Sequence, residues 1–130
     1  MIKINEQLAG LLDIDINFLK SQAGLKFLSG KNFDTFPTSI SLAYAGHQFG
    51  HFTKLGDGRA IIIGEHLTKY KQRFDIQLKG GGTTKYSRNG DGKATLSSML
   101  REHLISESMH YLNIPSSRSL AVIKTGEPIY

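Results

Sequence analysis

The run Phe74-Asp75-Ile76-Gln77-Leu78-Lys79 reads as a strand that ends on a lysine, and the helical pattern beginning near Lys93 carries a glutamate, Glu102. Upstream, Leu55-Gly56-Asp57-Gly58-Arg59-Ala60 precedes the apolar run Ile61-Ile62-Ile63, so a glycine turn separates two strand-like segments. Glycine turn, strand, lysine-terminated strand, then a glutamate-bearing helix is a restrictive order. It predicts an α+β fold in which a twisted antiparallel sheet is accompanied by one long helix.

The same order carries chemistry. Two glycines one residue apart let backbone N–H groups approach phosphate oxygens, and Arg59 adds a fixed positive charge. Asp-Gly is also a common hairpin turn, so these glycines alone support either reading. A strand lysine and a helix glutamate behind such a turn are how a protein-kinase-like N-lobe fixes nucleotide phosphates.

Helical periodicity is predicted from about Lys93 to Leu112, with Leu96, Met99, Leu100, His103, Leu104 and Tyr111 forming one apolar stripe. Glu102, Ile105, Met109 and Leu112 form a second row, which predicts a helix covered on two sides. A carboxylate in such a row needs a cation or several donors to offset its desolvation, and Lys79 is the candidate. Glu107, near the middle of the first stripe, is the alternative buried carboxylate. Asn113-Ile114-Pro115 marks the end of the helix.

From Lys79 to Lys93 the chain runs through Gly80-Gly81-Gly82 and Asn89-Gly90-Asp91-Gly92, carrying Lys79, Lys85, Arg88 and Lys93 against a single acid, Asp91. This long connection suits an anionic ligand, and equally an exposed excursion.

A wider resemblance rests on blocks in fixed order: Tyr44-Ala45-Gly46-His47-Gln48-Phe49-Gly50, Leu55-Gly56-Asp57-Gly58-Arg59-Ala60, Gln77-Leu78-Lys79-Gly80, Tyr86-Ser87-Arg88, Gly90-Asp91-Gly92, Arg101-Glu102 and Thr125-Gly126-Glu127. From about Phe36 to Tyr130 the chain resembles the selenoprotein O family, also called YdiU. The resemblance implies a protein-kinase-like fold, long classed as a pseudokinase, that transfers AMP from ATP to protein hydroxyls, with ATP flipped relative to ordinary kinases. Carried over by position, Gly56, Gly58, Arg59, Lys79, Asp91 and Gly92 resemble nucleotide-binding residues, and Glu102 the ion-pair partner of Lys79. Lys85 stands where family members often have proline, Phe52 near a usual tryptophan, and Lys93 for arginine; none of these removes a group assigned to the nucleotide.

Family members are several times longer. The resemblance implies that the catalytic base and the ligands for Mg²⁺ or Mn²⁺ follow Tyr130, so no catalytic or metal residue is expected within these 130 residues, and a fragment of this length is expected to be inactive. The expected organisation is a helical segment over residues 1–35 and a kinase-like N-lobe over 36–130. Expected partners are ATP and protein substrates of unspecified identity.

Composition is that of one modest globular unit, with 39% hydrophobic and 21% charged residues. No transmembrane run or signal-peptide core occurs, giving a cytoplasmic, bacterial expectation with no membrane partner. Zero cysteines exclude a disulfide framework and a cysteine-based metal site within the chain. The first 35 residues read as short helices with apolar faces at Leu8, Leu11 and Leu12, then Ile16, Phe18 and Leu19, closed by a turn at Ser29-Gly30-Lys31-Asn32. Strands are predicted near Ser39–Ala45, Phe49–Leu55, Ala60–Gly64, Phe74–Lys79 and Ser119–Lys124. His47 and His51 have helical metal-ligand spacing, but Gln48-Phe49-Gly50 between them predicts a turn. A net charge of +5 and pI near 9.5 admit a nucleic-acid-binding module as the competing class. Its cations, however, are spread along the chain, and Tyr86 is its only evident stacking residue amid the loop cations. A conventional kinase or a silent nucleotide-binding pseudokinase would share Lys79 and Glu102.

Overall fold

The computed structural model describes residues 2–31 and 39–129. Its element order is β1 (Lys3–Ile4), α1 (Glu6–Leu11), α2 (Ile16–Lys20), α3 (Gln22–Leu28), β2 (Ala43–Gln48), β3 (His51–Gly56), β4 (Ala60–Leu67), β5 (Arg73–Lys79), α4 (Leu96–Tyr111) and β6 (Ala121–Val122). This is an α+β fold. The boundary expected at 35/36, and Asn32 of the predicted turn, lie outside the described residues.

Each short N-terminal helix starts where a polar side chain replaces a missing helical acceptor. Asn5 accepts from Leu8 N–H at 3.0 Å, Asp15 from Asn17 N–H at 2.8 Å and Ser21 from Gly24 N–H at 3.1 Å. The helices bury Leu8, Ala9 and Leu19, whereas Leu11 and Phe18, predicted to lie on apolar faces, are exposed. The core here combines Ile4, Ala9 and Leu19 with Ile14, Ile16, Leu28, Leu120 and Ala121, so it draws on both ends of the chain. β1 makes that possible by pairing antiparallel with β6, Lys3 opposite Val122 and Ile4 opposite Ala121. A two-residue strand leaves too short an alternation to be read from sequence, and β1 was not anticipated.

The expected single sheet is, among the described residues, three two-stranded antiparallel ladders: β1–β6, β2–β3 and β4–β5. Phe49 and Gly50 both have positive φ, +59° and +80°, and close β2 on β3 in the two-residue turn that best matches strand twist. This shifts the strands from Ser39–Ala45 and Phe49–Leu55 to Ala43–Gln48 and His51–Gly56. It also puts His47 opposite Phe52 and His51 opposite Gln48, in a hairpin rather than on a helix. β3 and β4 do not pair across the glycine turn. Instead, Ile40 exchanges backbone hydrogen bonds with Ile62 at 3.0 and 2.8 Å, and Asp57 N–H donates to Leu42 O at 2.8 Å. β4 pairs with β5 from Ala60↔Lys79 to Leu67↔Arg73, with a bulge between Ile62 and Gly64 that leaves Ile63 buried.

α4 begins at Leu96, three residues after the expected start. Thr95 caps it, accepting from Ser98 N–H at 3.3 Å, while Lys93 N–H is taken by the Asp91 carboxylate at 2.9 Å. Its end follows the prediction: Asn113 adopts φ +58°, its N–H donates to His110 O and Ile114 N–H donates to Met109 O. The helix is not covered on two sides. Ser106 is its buried residue, and Leu100, Leu104, Ile105 and Tyr111 are exposed, because the two-residue β6 against which it packs covers only a narrow strip. The predicted strand Ser119–Lys124 is likewise reduced to Ala121–Val122.

Polar contacts join the helical segment to β4, to the β4–β5 connection and to α4. His66 Nε2 donates to Leu12 O at 2.5 Å, Asp13 accepts from both Lys69 N–H and Lys69 Nζ, and Tyr111 Oη donates to Gln7. α4 is anchored by a bidentate pair, Arg118 Nε to Glu107 Oε1 at 3.0 Å and Arg118 Nη2 to Glu107 Oε2 at 2.6 Å, with only 14% and 16% of the two side chains exposed.

The Arg118 guanidinium holds the Glu107 carboxyl below its ordinary range, against the opposing effect of burial. A depressed carboxylate adds stability above its unfolded-state pKa and loses it as pH falls through the folded-state value. Stability is therefore expected to decline as pH drops below the ordinary glutamate range, and Glu107→Gln should remove that component of the decline. Arg118→Ala should cost about 2–3 kcal/mol near pH 7, and less in acid, by denaturant titration.

Candidate functional site

β5 ends on Lys79, and its Nζ reaches Glu102 Oε1 of α4 at 2.9 Å. The predicted pairing forms, but in a different setting from the one expected. The two side chains remain 40% and 42% exposed, and the covered carboxylate of α4 is Glu107. An ion pair this open contributes at most about 1 kcal/mol to stability, so it leaves both charges accessible to a third group. Lys79 and Glu102 stand on the wall of a cavity of about 1000 Å³ between the N-terminal helices, β5, α4 and the 116–129 segment.

The glycine turn lies beside Lys79 through the backbone rather than through that cavity. Ala60 pairs with Lys79, and Arg59 O accepts from Gly80 N–H at 2.7 Å. The Arg59 side chain is exposed and has no ion-pair partner among the described residues. Gly56 is required by a close approach: a Cβ there would lie 2.3 Å from Cγ of the Tyr86 ring. Gly58 runs beneath the same segment, 3.0 Å from Tyr86 O to where its Cβ would be.

The long loop folds back on itself. Gly81 bridges Lys93, and Gly92, at φ +68°, passes so close to Gly82 that a Cβ would sit 1.9 Å from Gly82 O. Asp91 turns its carboxylate to Lys93 N–H, a local turn that fixes the approach to α4. Gly92 thus meets the Gly80–Gly82 stretch that also touches Arg59. Of the predicted positions, Gly56 and Gly58 lie against Tyr86 and Ser87, Arg59 against Gly80 and Gly92 against Gly82; Lys79 and Glu102 face the cavity, which Gly56, Gly58, Arg59, Asp91 and Gly92 do not line.

Not all of the loop cations are available. Lys93 pairs with Glu127 at 3.0 Å, and Lys31 approaches the same carboxylate at 3.6 Å. Hydrogen bonding from Lys93 is the main reason the Glu127 carboxyl is held below its ordinary range. Lys85 lies 5.3 Å from the Tyr86 ring centroid.

Sequence reasoning gave no role to Thr84 and Ser87 and considered Tyr86 only as a stacking residue, although Tyr86-Ser87-Arg88 belongs to the family blocks. Thr84 Oγ1 donates to Asp57 O at 2.5 Å, and Ser87 Oγ donates to Gly58 O. The signal was the Thr-x-x-Ser spacing of a hydroxyl-stabilised turn, whose target 27 to 29 residues away is not readable from spacing. Among the described residues, no group of three or more His, Cys, Asp or Glu side chains is placed to hold a metal ion.

The whole chain, residues 1–130, matches the family model described as protein adenylyltransferase SelO. The chain belongs to the SelO family. Similar curated relatives are named protein nucleotidyltransferase YdiU. That of Pelagibacter ubique (strain HTCC1062) is 57% identical over 126 residues, covering 97% of this chain. That of Clostridium botulinum (strain Alaska E43 / Type E3) is 59% identical over 131 residues, covering 99% of it, and that of Bacillus mycoides (strain KBAB4) is 55% identical over 130 residues. The SelO-family chain spans 26–27% of the length of these relatives. No helix among its described residues is long and apolar enough to cross a membrane.

The packing of Tyr86 on the glycine turn is directly testable. Gly56→Ala should destabilise the chain by about 1–3 kcal/mol through overpacking, and Tyr86→Ala in the same chain should recover part of that loss. A double-mutant cycle by thermal or denaturant unfolding measures the coupling.

Proposed function

We propose that this chain is the nucleotide-binding lobe of a protein adenylyltransferase that transfers AMP from ATP to Ser, Thr or Tyr hydroxyls of proteins. The observation that carries the reading is the 2.9 Å Lys79–Glu102 pair, formed across an exposed surface at the end of the strand that abuts the glycine turn. On this reading residues 36–130 correspond to a kinase-like N-lobe, with β3, the glycine turn and β4 as its nucleotide-facing strands, β5 as the lysine strand and α4 as the glutamate helix. The helices of residues 1–35 flank it.

The residues present fit a triphosphate in part. Glu102 holds the Lys79 ammonium extended from β5, where it can share its charge with a phosphate oxygen. Arg59 supplies a second, exposed cation on the turn whose backbone joins β5 at Gly80. Asp91 and Gly92 act through loop shape, keeping the Gly80–Gly82 backbone close to the turn. ATP, when bound, supplies an activated α-phosphate with pyrophosphate as leaving group; Mg²⁺ or Mn²⁺ and the base belong to residues outside this chain. The expected setting is the bacterial cytoplasm, with protein substrates as partners. A conventional kinase would use the same Lys79–Glu102 pair and differ in the phosphate transferred.

The deciding experiment offers the intact protein ATP labelled at the α- or the γ-phosphate, with Mg²⁺ or Mn²⁺. Protein labelling from the α-position alone is expected; γ-label alone would replace the reading by a conventional kinase, and neither would leave a silent nucleotide-binding protein. Lys79→Ala should reduce α-label transfer by at least about 100-fold, as loss of an electrostatic contact to the reacting phosphates requires. Its unfolding free energy should fall by no more than about 1 kcal/mol, because the ion pair is exposed.

A further inference from the structure

The segment Thr84–Ser87 is a turn in which each hydroxyl is used twice. Ser87 N–H donates to Thr84 O at 3.0 Å, closing the turn. Thr84 Oγ1 accepts from Tyr86 N–H at 3.1 Å and donates to Asp57 O; Ser87 Oγ accepts from Thr84 N–H at 2.7 Å and donates to Gly58 O. Each side chain therefore needs to be donor and acceptor at once, which a hydroxyl can be and an aliphatic group cannot. Between them the Tyr86 ring lies against Gly56.

A trans peptide is planar, with its C=O and N–H pointing in opposite directions. Drawing the Asp57 and Gly58 carbonyls toward Thr84 and Ser87 turns the N–H groups of Gly58 and Arg59 the other way. Neither N–H has a backbone acceptor among the described residues. Two adjacent amides turned away from the clasp, on a turn that also carries the exposed Arg59, are donors suited to an anionic oxygen.

We propose that Thr84 and Ser87 are positioning residues that clasp the glycine turn by its carbonyls and so present the Gly58 and Arg59 amides to a nucleotide phosphate. This deepens the nucleotide-binding reading above and rests on it. The clasp acts through the turn, without touching the ligand.

The test uses the intact protein with Thr84→Val and Ser87→Ala made singly, and the swaps Thr84→Ser and Ser87→Thr. Binding of Mg-ATP is followed by calorimetric titration, and unfolding by thermal melting. Each deletion variant is expected to bind ATP about five- to tenfold more weakly, the size of one lost hydrogen bond expressed as affinity. The swaps keep a hydroxyl and are expected to restore binding to within about twofold of the unsubstituted protein, which a purely space-filling role would not require of both. Unchanged binding in the two deletion variants, or swaps as weak as the deletions, would overturn the clasp while leaving the nucleotide-binding reading standing. An unsubstituted protein that binds no ATP would overturn both. If one deletion variant fails to fold, the other deletion and the two swaps decide by the same criteria.

Discussion

Arg118 and Glu107 make the one ion pair among the described residues in which both side chains are largely covered, and much of the molecule is oriented by it. The pair fixes α4 against the segment leading into β6, and β6 in turn holds β1 and the small N-terminal core. Glu102 lies five residues earlier on the same helix, about 140° around it at the α-helical pitch. One helix thus presents two carboxylates in different directions. The covered one anchors the helix with a planar, bidentate guanidinium, and the open one meets the strand lysine. Burial divides the labour: the protected pair carries the structural load, and the exposed pair keeps its charge within reach of a third partner.

The glycine-rich loop is best understood as scaffolding around that exposed pair. Its Gly80–Gly82 stretch touches the glycine turn through Arg59 O and the approach to α4 through Gly81 and Gly92. Close packing excludes a Cβ at Gly80 and Gly92, while Gly82 is demanded by its φ of +147°, so these glycines serve shape rather than flexibility. Two of the loop cations that suggested an anionic ligand are engaged internally, Lys79 with Glu102 and Lys93 with Glu127, so the charge of the segment overstates what is free to bind.

What the residues alone revealed was whatever depends on local pattern. The lysine strand, the long helix, its asparagine–proline end and the short N-terminal helices follow from periodicity and turn chemistry, which left Lys79 a choice of two carboxylates on that helix. What they concealed depends on partners distant in sequence. The start of α4 moved because Asp91 captures Lys93 N–H, strands β2 and β3 moved because Phe49 accepts a positive φ, and the second face of α4 stayed open because β6 is only two residues long. Glu102 and Glu107 could not be distinguished by period, since the outcome was decided by Arg118. The Thr84 and Ser87 contacts were hidden for the same reason, as hydroxyls carry no sequence mark of the carbonyl they will find.

The pairing of β1 with β6 has a consequence for the order in which the chain can be made. Lys3 and Ile4 are synthesised well over a hundred residues before their hydrogen-bonding partners, Val122 and Ala121. At translation rates of roughly 5–20 residues per second, the first strand waits about 6–24 s for its mate. During that interval the backbone of β1 and the apolar side chain of Ile4 are unsheltered, and the helical segment can form its caps but not its finished core. Closure of this core therefore waits on the synthesis of β6, whatever local structure has formed before it.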